Sequence, residues 1–307
     1  MHLYPVLFSL SGTGITPGEA ALFRRTPPAG FILFRRNVEN PTQVKALTAA
    51  LREYCPLPNV PILIDQEGGR VQRLSLPHWE KYPVPATLKT AADVYASNYT
   101  MAAELAGLGI TVNCTPLLDV AFPQTHEVIG DRAFSSDPAD VARKGQAVVD
   151  AHIAAGVVPI VKHIPGHGRA AADSHLALPV VTATRADLEA IDFAPFRAVQ
   201  APWAMTAHLL YTALDPVQPA TLSTFVIKNI IRDYIGFSGI LVSDDLGMKA
   251  LTGSWRDKTL GALAAGCDLV LHCSGNLDEM QAMAQALPPM PHQAVQRLVH
   301  SMTLQSV

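Results

Sequence analysis

Charge is scarce in this chain. Only 16% of its 307 residues are Asp, Glu, Lys or Arg, and 23 basic residues stand against 26 acidic ones for a formal net charge of -3. A surface built for a phosphate backbone or an anionic membrane carries a positive excess, so neither nucleic acid nor membrane is expected as a partner. Cysteine is scarcer still. Cys55, Cys114, Cys267 and Cys273 are scattered without a CxxC pair, which argues against a disulfide framework or a thiolate zinc site and for reduced thiols in the cytoplasm. Long apolar runs are missing as well, for none approaches the roughly 18 residues that span a bilayer. The N-terminal MHLYPVLFSLSG has an apolar stretch like a short signal-peptide core, but no Lys or Arg precedes it and Pro5 interrupts it, so it reads as a buried first strand. No proline- or serine-rich linker divides the chain. What is plentiful is apolar surface: 49% of the residues are hydrophobic, enough for a large single core.

That apolar content comes in short runs bounded by turn residues, at 3–10, 31–34, 60–65, 110–113, 158–163, 203–208, 239–245 and 268–272. They are continuous rather than alternating, as strands covered on both faces of a parallel sheet are. Helical signals fall between them. Asn40-Pro41 opens a stretch with Val44, Leu47, Leu51 and Tyr54 on one face, Asp137-Pro138 opens another that Gly156 closes, and Thr184 with Asp187 precedes Leu188, Ile191 and Val199. Ser223 precedes Ile227, Ile230, Ile231 and Tyr234 with Gly236 at the end, and Leu260 to Ala265, ended by Gly266, fills the last gap. Strands alternating with helices over this length predict a (β/α)₈ barrel in one domain, residues 1–307, with helices from about 277 packed outside it. A doubly wound open sheet has similar local patterns, and periodicity does not reveal closure.

Polar residues end nearly every expected strand: Asp65, Asn113, Lys162-His163, His208 and Asp244-Asp245. In a barrel those ends share one face, the face on which active sites of this fold are built. In IDQEGGRVQR (64–73), Asp65 can accept from vicinal sugar hydroxyls and Arg73 can donate a fork of hydrogen bonds, which suits a polyol; a surface ion pair is the plainer alternative. KHIPGHGRAAADSH (162–175) places His163, His167 and His175 within one loop-rich segment, without the tight spacings of a zinc site. In an extended loop Asp173 and His175 face the same side, so the carboxylate can hold the imidazole and raise its pKa toward that of a useful proton donor and acceptor. GILVSDDLGM (239–248) puts two aspartates after a strand, one for the pocket and one for the wall or a helix N-terminus, their charge managed by donors such as Lys162. The pattern alone does not choose between them.

Taken together GFILFRRN (30–37), DQEGGRVQR (65–73), GDRAFSSDP (130–138), KHIPGHG (162–168), DSH (173–175), AHLLY (207–211), SDDLGM (243–248) and AGCDLVLHC (265–273) resemble the glycoside hydrolase family 3 β-N-acetylglucosaminidases of the short, single-domain bacterial type. The likeness covers almost the whole chain. It implies an exo-acting, retaining hydrolase that removes terminal β-linked N-acetylglucosamine from anhydro-muropeptides in peptidoglycan recycling, with Asp244 as nucleophile, His175 as acid/base and Asp173 as its partner. By the same resemblance Asp65, Arg73, Arg132, Lys162 and His163 hold the terminal sugar, while Asp245, His167 and His208 stand behind them. Ile164 departs from the family, which often has an aromatic residue there. No cofactor and no metal are implied; the partner is a small carbohydrate or muropeptide, and the enzyme is expected to be a cytoplasmic monomer. Adjacent residues on a regular strand point to opposite faces, yet both Lys162 and His163 are asked to touch sugar. A distorted or cis peptide, or a bulge, is therefore expected within 162–165, Pro165 being the commonest kind of place for a cis bond. The rival functions are a metal-dependent hydrolase on the same barrel and a phosphorolytic N-acetylglucosaminidase.

Overall fold

A computed structural model describes residues 2–170, 172–174 and 177–303. Eight parallel strands close into a barrel: β1 (Tyr4–Phe8), β2 (Pro28–Leu33), β3 (Ile62–Ile64), β4 (Val112–Asn113), β5 (Val158–Ile164), β6 (Trp203–Thr206), β7 (Ile240–Asp245) and β8 (Leu269–His272). Every expected strand is present. Closure, which periodicity left open, is decided by register: Val6, Leu7 and Phe8 of β1 lie beside Val270, Leu271 and His272 of β8. The short apolar runs are continuous because both faces are covered, one by the barrel interior and the other by helices, and Phe8, Phe31 and Trp203 are fully buried.

The helices begin where side chains can cap them. Asn40 accepts from the Gln43 N–H ahead of Pro41–Leu51, whose Val44, Leu47 and Leu51 are buried as their spacing predicts, and Asp137 caps Pro138–Ala154. Two helices carry signals that the periodicity argument passed over. Thr90 with Asp93 forms a capping box before Ala91–Gly107, and Ser254 with Asp257 starts the last-gap helix at Trp255 rather than Leu260. That helix ends on Gly266 at φ 119°, in the left-handed region. The expected run from Thr184 to Val199 is broken: the helical segment ends at Asp192, and Ala194–Ala198, with Pro195 in its first turn, is separate. Proline lacks the N–H that a continuous helix needs there.

The final helix, His292–Thr303, lies against the N-terminal end of the barrel. There the Trp203 indole N–H donates to Ser301 Oγ (2.9 Å) and the Met290 N–H to the Leu3 carbonyl (2.7 Å). The opposite end stays open for chemistry. Among the described residues no helix is long and apolar enough to cross a membrane.

Candidate active site

Asp65, Arg73, Arg132, Lys162, His163, Asp244 and Asp245 line one cavity of about 340 Å³ at the C-terminal end of the strands, together with Glu67. Seven residues from distant parts of the sequence thus meet where the fold places its active sites. Asn113 and His208, which also end strands, do not line it. The Asn113 side chain bonds both the N–H and the carbonyl of Gln66, and His208 spans Thr221 Oγ1 (2.7 Å) and the Asp245 carbonyl (3.0 Å), so both brace the wall.

The segment after β3 folds back on itself. Gly68 and Gly69 take φ values of 96° and 59°, and a Cβ on Gly68 would lie 2.4 Å from the Pro83 carbonyl oxygen, so this tight hairpin needs glycine. It returns Arg73 to Asp65, whose Oδ2 accepts from Arg73 Nη2 (2.9 Å) while Oδ1 accepts from Lys162 Nζ (3.1 Å). Burial alone would raise the Asp65 carboxyl; Lys162 and Arg73 instead hold it well below the usual carboxylate range. The two-cation clamp around Asp65 is no surface pair.

Glu67 was overlooked at the sequence level. Its side chain is buried, Arg132 grips it through Nε and Nη2 at 2.8 Å each, and Lys162 Nζ lies 2.7 Å away. Burial pushes against ionisation, but Arg132 and Lys162 keep the Glu67 carboxyl at about 2. The same two acids hold the Lys162 ammonium above its ordinary pKa despite burial. Lys162 is therefore paired directly with Asp65 and Glu67, and acts on the Asp244-Asp245 pair that the sequence suggested only through its charge, which lowers the Asp244 carboxyl. Arg132 reaches the cavity too, with its fork on Glu67 and Nη1 on the Val128 carbonyl (2.7 Å). A signal for Glu67 existed, since residues i and i+2 of an extended segment share a face with Asp65.

Lys162 and His163 both face the cavity, and the peptide between them is cis, as is Ile164–Pro165. The expected departure from regular geometry falls at both bonds. Asp119, a second overlooked acid, receives His163: Oδ2 lies 2.7 Å from Nδ1, and Oδ1 accepts the backbone N–H groups of His163 (3.2 Å) and His167 (2.6 Å). This fixes the His163 ring with Nε2 as the free nitrogen. Burial and the like charge of His163 lower the His167 imidazole to about 4, and its Nε2 shares a hydrogen bond with Ser174 Oγ (3.3 Å). Asp173 lies on the same loop, with its carbonyl accepting the Ala177 N–H (3.1 Å). His175 lies outside the described residues.

Asp244 and Asp245 both line the cavity, where the sequence pattern placed only one of them, but they differ in what holds them. Oδ1 of Asp244 accepts the Asp245 N–H (2.8 Å) and among the described residues no side chain donates to it, while burial is outweighed by His208, His163, that N–H and Lys162, which leave its carboxyl lowered. Asp245 turns its Oδ1 to the N–H groups of Gly247 (2.9 Å) and Cys273 (3.2 Å), tying the ends of β7 and β8 together. Burial, with the charge of Asp244, pushes Asp245 up to about 6.

A pocket that fixes carboxylates and cations on rigid strand ends, and presents one ionised acid with a free edge, has the parts of a glycoside-cleaving barrel enzyme. Residues 19–300 match the glycosyl hydrolase family 3 N-terminal domain, and the chain belongs to that family of glycoside hydrolases. A beta-hexosaminidase of Alkalilimnicola ehrlichii is 37% identical over 302 residues, covering 94% of this chain and 85% of that protein. The structure of NagZ from Neisseria gonorrhoeae superposes with a TM-score of 0.89 at 32% identity, over 99% of this chain and 90% of that one. A family 3 beta-N-acetylglucosaminidase from Paenibacillus sp. str. FPU-7 gives a TM-score of 0.89 at 32% identity; there 98% of this chain spans only 60% of the longer protein. The Neisseria protein has also been solved with N-trifluoroacetyl-D-glucosamine.

Proposed function

We propose that this chain is an exo-acting β-N-acetylglucosaminidase that removes terminal β-linked N-acetylglucosamine with retention, acting on anhydro-muropeptides of recycled peptidoglycan. The observation that carries the reading is Asp244: a carboxylate with lowered pKa on a strand end that lines the cavity and, among the described residues, is hydrogen-bonded by a backbone N–H. Asp65 with Arg73 and Lys162, and His163 set by Asp119, suit the hydroxyl groups of one terminal sugar. The relatives' names and the amino-sugar complex support the acetamido preference.

In this mechanism the cavity holds the sugar so that Asp244 attacks the anomeric carbon through an oxocarbenium-like transition state while protonated His175 gives its proton to the leaving oxygen. Water then attacks the glycosyl-enzyme, with His175 taking a proton from it and Asp173 stabilising the imidazolium. A slow fluorinated N-acetylglucosaminide should label Asp244, as seen by peptide mass spectrometry; a label on Asp245, or full turnover without one, refutes the nucleophile. His175→Ala should lose on the order of 10²–10⁴-fold on a disaccharide, and much less in the first step with a nitrophenyl leaving group. Equal losses on both would move the acid/base elsewhere, and preference for an aryl glucoside would overturn the acetamido specificity.

A further inference from the structure

The segment that follows β5 is pinned residue by residue. The Tyr211 hydroxyl donates to the Gly166 carbonyl (2.6 Å), the His167 N–H to Asp119 Oδ1 (2.6 Å), the Thr125 hydroxyl to the Gly168 carbonyl (2.6 Å) and the His126 N–H to the Ala170 carbonyl (3.1 Å). Between them Arg169 Nε meets Asp192 Oδ2 at 2.7 Å, with its guanidinium over the Phe122 ring. The root of the loop is thus part of the barrel wall.

Farther along, Ser174 is buried again, only 4% exposed, although it belongs to a loop tip. Two contacts from opposite directions hold it. Its hydroxyl meets Nε2 of His167, and its carbonyl accepts the Ala250 N–H at 3.1 Å. Ala250 lies in the turn that follows β7, five residues beyond Asp245, so this bond joins the loop to the strand carrying Asp244. The His167 imidazole is itself buried, and its Nδ1 has no hydrogen-bond partner among the described residues. A buried ring leaves a polar atom unsatisfied at a cost, so the bond that its other nitrogen makes to Ser174 asks for an explanation.

We propose that Ser174 is a positioning residue: held by His167 on one side and by the Ala250 N–H on the other, it ties the loop that carries Asp173 to the segment that follows β7, and proton transfer to the leaving group depends on that tie. The proposal rests on the assignment of His175 as acid/base. Ser174 lies between Asp173 and His175 in the sequence, so a change at Ser174 acts one peptide bond from each. Losing the clamp leaves the sugar site intact. What suffers is the fraction of complexes in which the acid is aligned, and that fraction matters only where the leaving group needs a proton.

The test compares kcat/KM, which reports events up to aglycone departure, for an N-acetylglucosaminyl disaccharide and for the 4-nitrophenyl glycoside. Ser174→Ala and His167→Ala should each lose roughly three- to tenfold on the disaccharide and less than about twofold on the nitrophenyl substrate. His167→Gln places an amide near the position of Nε2 and should recover most of the loss. The double variant should be no worse than the poorer single one, because both remove the same bond. Equal loss on both substrates, no loss on the disaccharide, or additive losses in the double variant would each overturn the proposal. If one substitution prevents folding, the other and His167→Gln still decide it. His175→Ala separates the two ideas: if it lacks leaving-group selectivity the acid/base assignment fails, and if it shows that selectivity while Ser174→Ala does not, the clamp fails.

Discussion

Glu67→Gln is the perturbation that most directly tests the charge network beneath the cavity. The substitution keeps the shape, removes the charge and leaves Arg132 and Lys162 facing an amide. A carboxyl held at about 2 against an ordinary 4.5 is stabilised in the folded state by about 3 kcal/mol at neutral pH. This agrees with the roughly 3–5 kcal/mol expected when one partner of a buried ion pair is removed. Because the folded pKa is depressed, the contribution is complete above the unfolded pKa of 4.5 and is lost as pH falls toward 2. Urea unfolding of wild type and Glu67→Gln should therefore differ by about 3 kcal/mol at pH 7, and the difference should shrink by about 1 kcal/mol at pH 3.5. The other carboxylates titrate in both proteins and cancel. A neutral-pH difference below about 1 kcal/mol, or one that does not change between pH 7 and 3.5, refutes the reasoning. The variant should also raise KM more than it lowers kcat, since Lys162 and Arg132 lose the acid that aims them.

Two further substitutions probe the other acids. Asp119→Ala removes the acceptor for two backbone N–H groups and for the His163 ring, and should destabilise by on the order of 3 kcal/mol in urea unfolding, with Asp119→Asn intermediate because one oxygen remains. Asp245→Asn should act in the opposite direction. The Asp245 carboxyl is raised to about 6, so its ionisation weakens the fold as pH rises past the unfolded value; Asn still accepts from Gly247 and Cys273, and should stabilise by about 1–2 kcal/mol above pH 6 with the gain vanishing below about pH 4. A gain that persists at low pH would show that repacking, not charge, is responsible.

The eight strands were legible because a strand buried on both faces leaves an unmistakable apolar run, and the candidate cavity was legible because most of those runs end in a polar residue. Closure was not, since it depends on the register between Val6–Phe8 and Val270–His272, at opposite ends of the chain. The acids that were overlooked share a feature. Glu67 and Asp119 act on other side chains, Lys162 and Arg132 for the first and His163 for the second, and partners 44, 65 or 95 positions away leave no local signature of the pairing, even where, as for Glu67, the spacing from Asp65 hints at a shared face. For the same reason the direct partners of Lys162, Asp65 and Glu67, were not legible, although its charge also lowers Asp244 as the sequence suggested. Helix starts at Thr90 and Ser254 were readable, by contrast, because a capping box is complete within four residues.

The cations and anions set into the cavity wall also govern how the protein responds to its medium. Arg73, Arg132 and Lys162 stand opposite Asp65, Glu67, Asp244 and Asp245, so opposite charges largely offset in the wall, the more so because Asp245 is raised to about 6, and the rim residue Arg70 is closed on Asp131. A neutral sugar entering such a pocket displaces no counterions and meets no long-range field that dissolved salt could screen. Recognition of the terminal sugar is consequently carried by short hydrogen bonds, and a change in ionic strength should leave the occupancy of this pocket nearly unchanged.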